Sequence, residues 1–191
     1  MDGTARRARR LFLALEIPEE VASGLVSLQG GCQGARWSRK ETLHLTLRFL
    51  GDVDDEGCAR LRLGLEALAF EPFRLRIERA GTFTLRDQAV LWMGPAPSAA
   101  LADLHGLVDG ILATALGVPC ERAYTPHVTL GRLRHPRRDA TRAFAERAAR
   151  EAGRMHLEFT VATVTLFNSH LGAGGAQHTV LGRYGATWRN H

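Results

Sequence analysis

Short apolar runs alternate with amphipathic stretches along the chain. Leu11 to Ile17 is apolar and ends at Pro18, and the following stretch spaces Val21, Leu25 and Leu28 by four and three, which predicts a strand followed by a helix. After Gly30-Gly31, residues 43–50 alternate. Leu43, Leu45, Leu47 and Phe49 are expected on one face of a strand, with His44, Thr46 and Arg48 on the other. Leu61, Leu65 and Leu68 mark a second helix. Beyond Pro72, residues 73–83 and 89–93 read as two strands joined by a turn at Arg86-Asp87-Gln88. Residues 99–116 predict a third helix, with Leu101, Leu104, Val108, Ile111 and Leu112 on one side and Gly117 as its C-terminal stop. A fourth helix is expected over about residues 140–152. Strands near 156–167 and 177–184 then flank a glycine-rich connection at residues 172–175.

One pattern occurs twice. His127-Val128-Thr129-Leu130-Gly131-Arg132 repeats the alternation of His44-Leu45-Thr46-Leu47-Arg48, and the two copies lie 127 − 44 = 83 residues apart. The order of elements predicts an α+β protein of two pseudo-symmetric lobes, mainly antiparallel sheet, with helices on the outer faces and a cleft between. No stretch rich in Pro, Gly or Ser separates independent domains. Residues 11–185 are read as one bilobal unit, residues 1–10 as a disordered basic tail and 186–191 as a C-terminal tail.

Composition changes this picture little. The 191 residues are 45% hydrophobic and 24% charged, as in ordinary globular chains. A formal charge of +5 admits a polyanionic partner, yet Lys40 is the only lysine among 25 basic residues, so compositional bias accounts for the charge as readily as nucleic acid does. Cys32, Cys58 and Cys120 fit neither a disulfide framework nor a zinc pattern. Residues 11–15 are too short an apolar run for a signal or a span, which leads us to expect a cytoplasmic protein without membrane association.

The repeated triplet is where chemistry enters. A strand that exposes His and Thr at i and i+2 presents an imidazole and a hydroxyl side by side. Two such strands offer two imidazoles that can divide a pair of proton transfers, with Thr46 and Thr129 as donors to phosphate oxygens. No carboxylate or third histidine accompanies either histidine at ligand spacing, so neither a metal nor another cofactor is expected. Trp37 and Tyr124, just before the two motif strands, are candidates for stacking on a base. His105, His135, His156, His170, His178 and His191 lack a matching partner pattern and read as surface or structural.

His44-Leu45-Thr46-Leu47 and His127-Val128-Thr129-Leu130 resemble the paired HxTx motifs of the two-histidine phosphoesterase superfamily. Phe49-Leu50-Gly51, Thr129-Leu130-Gly131-Arg132 and Ser169-His170-Leu171-Gly172 extend the resemblance to the bacterial and archaeal RNA 2′,3′-cyclic phosphodiesterases, also called 2′-5′ RNA ligases, over about residues 10–185. That resemblance implies a bilobal fold and hydrolysis of an RNA 2′,3′-cyclic phosphate end, of tRNA fragments for example, to a 2′-phosphomonoester. It implies His44 as general acid to the 3′ oxygen and His127 as general base to water, with Thr46, Thr129 and Arg132 on the phosphate, in a protein expected to be monomeric. The alternatives are ATP-independent 2′-5′ ligation at the same site, an RNA-binding module without chemistry, and a metal-dependent hydrolase.

Overall fold

The computed structural model describes residues 8–121, 123–172 and 175–185. The strands are β1 (Arg9–Glu16), β2 (Arg36–Trp37), β3 (His44–Val53), β4 (Phe73–Leu85), β5 (Gln88–Pro95), β6 (Val128–Arg134), β7 (Glu158–Val161), β8 (Thr163–Gly172) and β9 (Gly175–Gly185). The helices are α1 (Glu19–Ser27), α2 (Asp55–Glu66), α3 (Ala99–Leu116) and α4 (Arg138–Met155). Local chemistry explains several boundaries. Asp54 caps α2 by accepting from the Gly57 amide at 2.8 Å, Ser98 caps α3 through the Leu101 amide, and Gly117, at φ +67°, ends α3 in the left-handed conformation that favours glycine.

The strands lie in the order β7-β4-β5-β6-β3-β1-β8-β9, with β2 on β6, and the assigned pairings are all antiparallel. The chain reads as a duplicated unit, β1-α1-β3-α2-β4 followed by β5-α3-β6-α4-β8, and the halves exchange their last strands. β4 of the first unit pairs with β5 of the second, while β8 of the second pairs with β1 of the first. The lobes β3-β1-β8-β9 and β6-β5-β4-β7 are joined at the motif strands through the single pair Leu45 and Val128. β7 and β8 lie on opposite lobes although only Ala162 separates them, so the sheet must curl to bring its far strands together.

One face of this sheet buries the core. Leu11, Leu13 and Leu15 of β1, Leu45 and Leu47 of β3, Leu91 and Met93 of β5, and Val128 and Leu130 of β6 are at most 1% exposed and pack with the apolar stripes of the helices. α3 is long and apolar enough to cross a bilayer by length and composition alone, but Leu101, Leu104, Val108 and Leu112 are buried in this core. The opposite face carries a small separate cluster of Phe12, Ala14 and Phe167.

Three expectations need correction. Arg9 and Arg10 belong to β1, paired with Val53 and Asp52, because antiparallel pairing continues past the apolar run that marked the strand. The strand expected over 156–167 is two strands broken at Ala162, where the buried alternation of Phe159 and Val161 changes phase to Val164 and Leu166. The third concerns β3. There Leu13 pairs with Arg48 but Ala14 pairs with Thr46, so Leu47 is an extra, bulged residue. Alternation shifts by one beyond it. Arg48 therefore turns to the helix side, where it meets Asp109 of α3 at 2.7 Å and the Pro119 carbonyl at 2.6 Å. Phe49 turns to the open face and is 69% exposed.

Candidate active site

The second motif strand has its bulge at the matching place. Leu91 pairs with Gly131 and Trp92 with Thr129, so Leu130 is the extra residue, and 130 − 47 = 83 is the spacing of the histidines themselves. Without it, Arg132 would share the buried face of Val128 and Leu130. With it, Arg132 is exposed on the face of Thr129, near enough to His127 for its charge to act on the imidazole. Gly131 has a steric role here, since a Cβ at this position would lie 2.7 Å from Cε3 of Trp37. One lobe thus presents His44, Thr46 and Phe49, and the other presents His127, Thr129 and Arg132.

The two histidines are held alike. Nδ1 of His44 lies 2.8 Å from the Thr42 carbonyl, and Nδ1 of His127 lies 2.8 Å from the Thr125 carbonyl. A carbonyl only accepts, so Nδ1 carries the hydrogen in each ring. Nε2 is left with its lone pair for proton transfer. Aromatic rings wedge both imidazoles: Phe12 at 5.0 Å and Phe167 at 6.3 Å from His44, and Phe83 at 4.9 Å and Trp92 at 6.3 Å from His127.

Burial in these apolar pockets disfavours the imidazolium. It pushes His44 down to about 4, against a smaller opposing effect of its bond to Thr42 and with further lowering by His178 and His127. His127 is also lowered, by burial first, with the Thr125 bond opposing and the Arg132 charge adding to the shift. Both rings are therefore neutral near pH 7 in the free protein.

A cleft of about 320 Å³ lies between the lobes, lined by Thr46 and Phe49 from one side and Phe83, Tyr124 and His127 from the other. Among the described residues, no hydrogen bond engages the hydroxyls of Thr46 and Thr129 or the guanidinium of Arg132. No group of three His, Cys, Asp or Glu side chains there could hold a metal ion.

Tyr124 reaches this cleft, but its ring stacks on His105 at 3.9 Å and its hydroxyl donates to the Thr46 carbonyl at 3.0 Å. It therefore ties the loop before β6 to the first motif strand. Trp37 is not brought to the cleft. It packs on the helix side against Gly131 and Phe144, the consequence of pairing with Gly131 at the bulge.

His178, read as structural, stands at the site instead, with its ring 5.2 Å from His44 and edge-on to it. Nothing in its local sequence marks it. β9 brings it there by pairing His178 with Ser169 two strands away from β3. Phe49, Phe83 and Trp92 were likewise missed, since an aromatic on a strand gives no sign of which face it takes.

Two matched HxT strands, their bulges and their tautomer-fixing carbonyls define a two-histidine site suited to acid and base catalysis at a phosphate ester. The chain belongs to the 2′-5′ RNA ligase superfamily, whose family model matches residues 18–173. Among its relatives is a protein of Methanocaldococcus jannaschii named RNA 2′,3′-cyclic phosphodiesterase, 35% identical over 128 residues, covering 65% of this chain and 72% of that one. One of the same name from Escherichia coli K12 is 27% identical over 94% of this chain and 97% of its own. The crystal structure of E. coli LigT complexed with 3′-AMP superimposes with a TM-score of 0.73 at 25% identity, covering 95% of this chain and 99% of that one. With these relatives, the reading of the chain as an enzyme of the cyclic phosphodiesterase class stands.

Proposed function

We propose that this enzyme hydrolyses the 2′,3′-cyclic phosphate at the end of RNA to a 2′-phosphomonoester, with RNA fragments, tRNA-derived ones included, as substrates. The observation that carries the reading is the pair of imidazoles, each with Nδ1 held by a carbonyl and Nε2 available, on equivalent positions of two joined strands. Water attacks phosphorus opposite the 3′ oxygen, and the bond from phosphorus to that oxygen breaks. His127 takes the proton of the water at Nε2, and His44 gives one to the 3′ oxygen. The allocation of these two roles follows the family resemblance.

Since burial holds both rings neutral, the proton His44 donates must be restored when substrate binds. The negative phosphodiester does this by favouring an imidazolium beside it. Charge then builds on the non-bridging oxygens. The Thr46 and Thr129 hydroxyls and the planar fork of Arg132 meet it there, stabilising the transition state more than the ground state. The chemistry balances with water alone.

The test is incubation of the purified protein, with chelator present, with a short RNA ending in a 2′,3′-cyclic phosphate. The product terminus is identified by mass and by sensitivity to phosphatase. His44→Ala and His127→Ala are each expected to lower turnover by at least about a hundredfold, and Thr46→Ala or Thr129→Ala by less. Unchanged activity in either histidine variant would refute the role given to that residue.

A further inference from the structure

The open face of the sheet continues past the catalytic pair. Residues directly opposed in an antiparallel pair share a face. In the β4-β5-β6 lobe, Phe83 opposes Val90, Val90 opposes Arg132, Gln88 opposes both Leu85 and Arg134, and Arg36 of β2 opposes Arg132 from the other side. These residues therefore lie on the face of Thr129 and Trp92, running from His127 toward the β4-β5 turn, while Ala89, Leu91 and Leu133 fill the other face with core. Phe83 is 37% exposed and Leu85 76%, and Arg36, Arg132 and Arg134 are all exposed.

The charge on this surface is not taken up by ion pairs. Across β2, β4, β5 and β6 the only carboxylate is Glu78, and it is engaged by Arg76 at 3.1 Å. No ion pair holds Arg36, Arg132 or Arg134 among the described residues. A sheet face that offers an exposed aromatic ring, apolar side chains and free guanidinium groups has the features that hold a single nucleic-acid strand, by stacking on bases and pairing with phosphates. Arg132 and Arg134 stand about 7 Å apart along the strand, which spreads the positive charge away from the reacting phosphate.

We propose that this face is the track for the RNA strand leading up to the cyclic end, with the nucleotides on its 5′ side stacked over Phe83 and Leu85 and their phosphates on Arg134 and Arg36. The inference rests on the proposed RNA reading of the site and assigns the enzyme a preference for polynucleotide ends over cyclic mononucleotides. In the lobe of β3, β1 and β8 the position equivalent to Arg132 is Phe49, so that guanidinium has no counterpart there.

Two measurements test it. In the first, kcat/KM is compared for a 2′,3′-cyclic mononucleotide and for an RNA tetranucleotide with the same terminal nucleoside. The tetranucleotide is expected to be favoured by roughly tenfold or more, and Arg36→Ala/Arg134→Ala to bring the ratio toward one. In the second, His44→Ala/His127→Ala is titrated with a fluorescent tetranucleotide ending in a 2′-phosphate, and anisotropy is followed against salt. Adding Arg36→Ala/Arg134→Ala is expected to weaken binding and to reduce the slope of log affinity against log salt by about 1.4, some 0.7 per lost phosphate contact.

Equal kcat/KM for the two substrates, or a ratio and salt slope unmoved by the arginine changes, would overturn the proposal and leave the cyclic phosphodiesterase reading intact. Failure to hydrolyse any cyclic phosphate would sink that reading instead. The binding titration would then still decide whether the track exists.

Discussion

His44 gives the folded protein a pH dependence that can be isolated. Its imidazole titrates near 6.5 in an unfolded chain, and burial holds it at about 4 in the folded protein. Above pH 6.5 the ring is neutral in both states and contributes no pH dependence. As pH falls below 6.5 the unfolded chain takes up a proton that the folded protein refuses until about pH 4, so stability is lost across this window and the loss levels off below it. The linkage relation gives a loss of about 2 kcal/mol at pH 5 and about 3 kcal/mol at pH 4 from this residue. Those losses are a substantial part of the 5–15 kcal/mol typical of a domain.

The assay is urea unfolding of wild type and His44→Gln at several pH values from 7.5 to 4, with stability taken from midpoint and slope. Carboxylates and the also depressed His127 and His178 titrate in both proteins, so the difference between the two curves reports His44 together with its charge coupling to those two rings. The variant is expected to lose less stability on acidification, by about 2 kcal/mol at pH 5. Parallel curves would refute the burial argument and, with it, the claim that the free site is neutral.

Three further outcomes follow from the same structure. Because both histidines are depressed in the free protein, the alkaline limb of kcat/KM is expected below pH 6.5 and that of kcat at higher pH, where bound phosphate stabilises the imidazolium; coincident limbs at or above pH 7 would contradict this. Gly131→Ala places a Cβ 2.7 Å from the Trp37 ring and 3.1 Å from the Arg36 carbonyl, so a loss of about 1–3 kcal/mol in urea unfolding is expected, with impaired turnover as Arg132 is re-aimed. Asp109→Ala removes the nearest carboxylate from Arg48, whose side chain is only 13% exposed and keeps the Pro119 carbonyl and Glu121 at 3.8 Å. This should cost roughly 2–3 kcal/mol, less than a fully buried pair, while Arg48→Met/Asp109→Leu should cost less than the single change.

Much of the site could be read from residue order because its chemistry is local. His44 and Thr46, and His127 and Thr129, lie two apart on strands, and a period of two puts each pair on one face whatever the rest of the chain does. The duplication itself, at a spacing of 83, was legible for the same reason. Helix α3 matched its expected bounds because an apolar stripe, Ser98 before it and Gly117 after it all act within a turn or two.

Tertiary structure decided the rest. The bulges at Leu47 and Leu130 are properties of pairing with β1 and β5, and they reverse the faces of Arg48, Phe49 and Arg132 in a way that alternation along one strand cannot register. Trp37 left the cleft because its partner is Gly131, which the bulge at Leu130 puts on the core face. His178 came beside His44 because β8 crosses to the first lobe and carries β9 along. The sequence by itself determined which groups could do chemistry and at what local spacing, since covalent geometry fixes that. Which of them share a cleft depends on strand order and register, which are set by burying one common core against the helices.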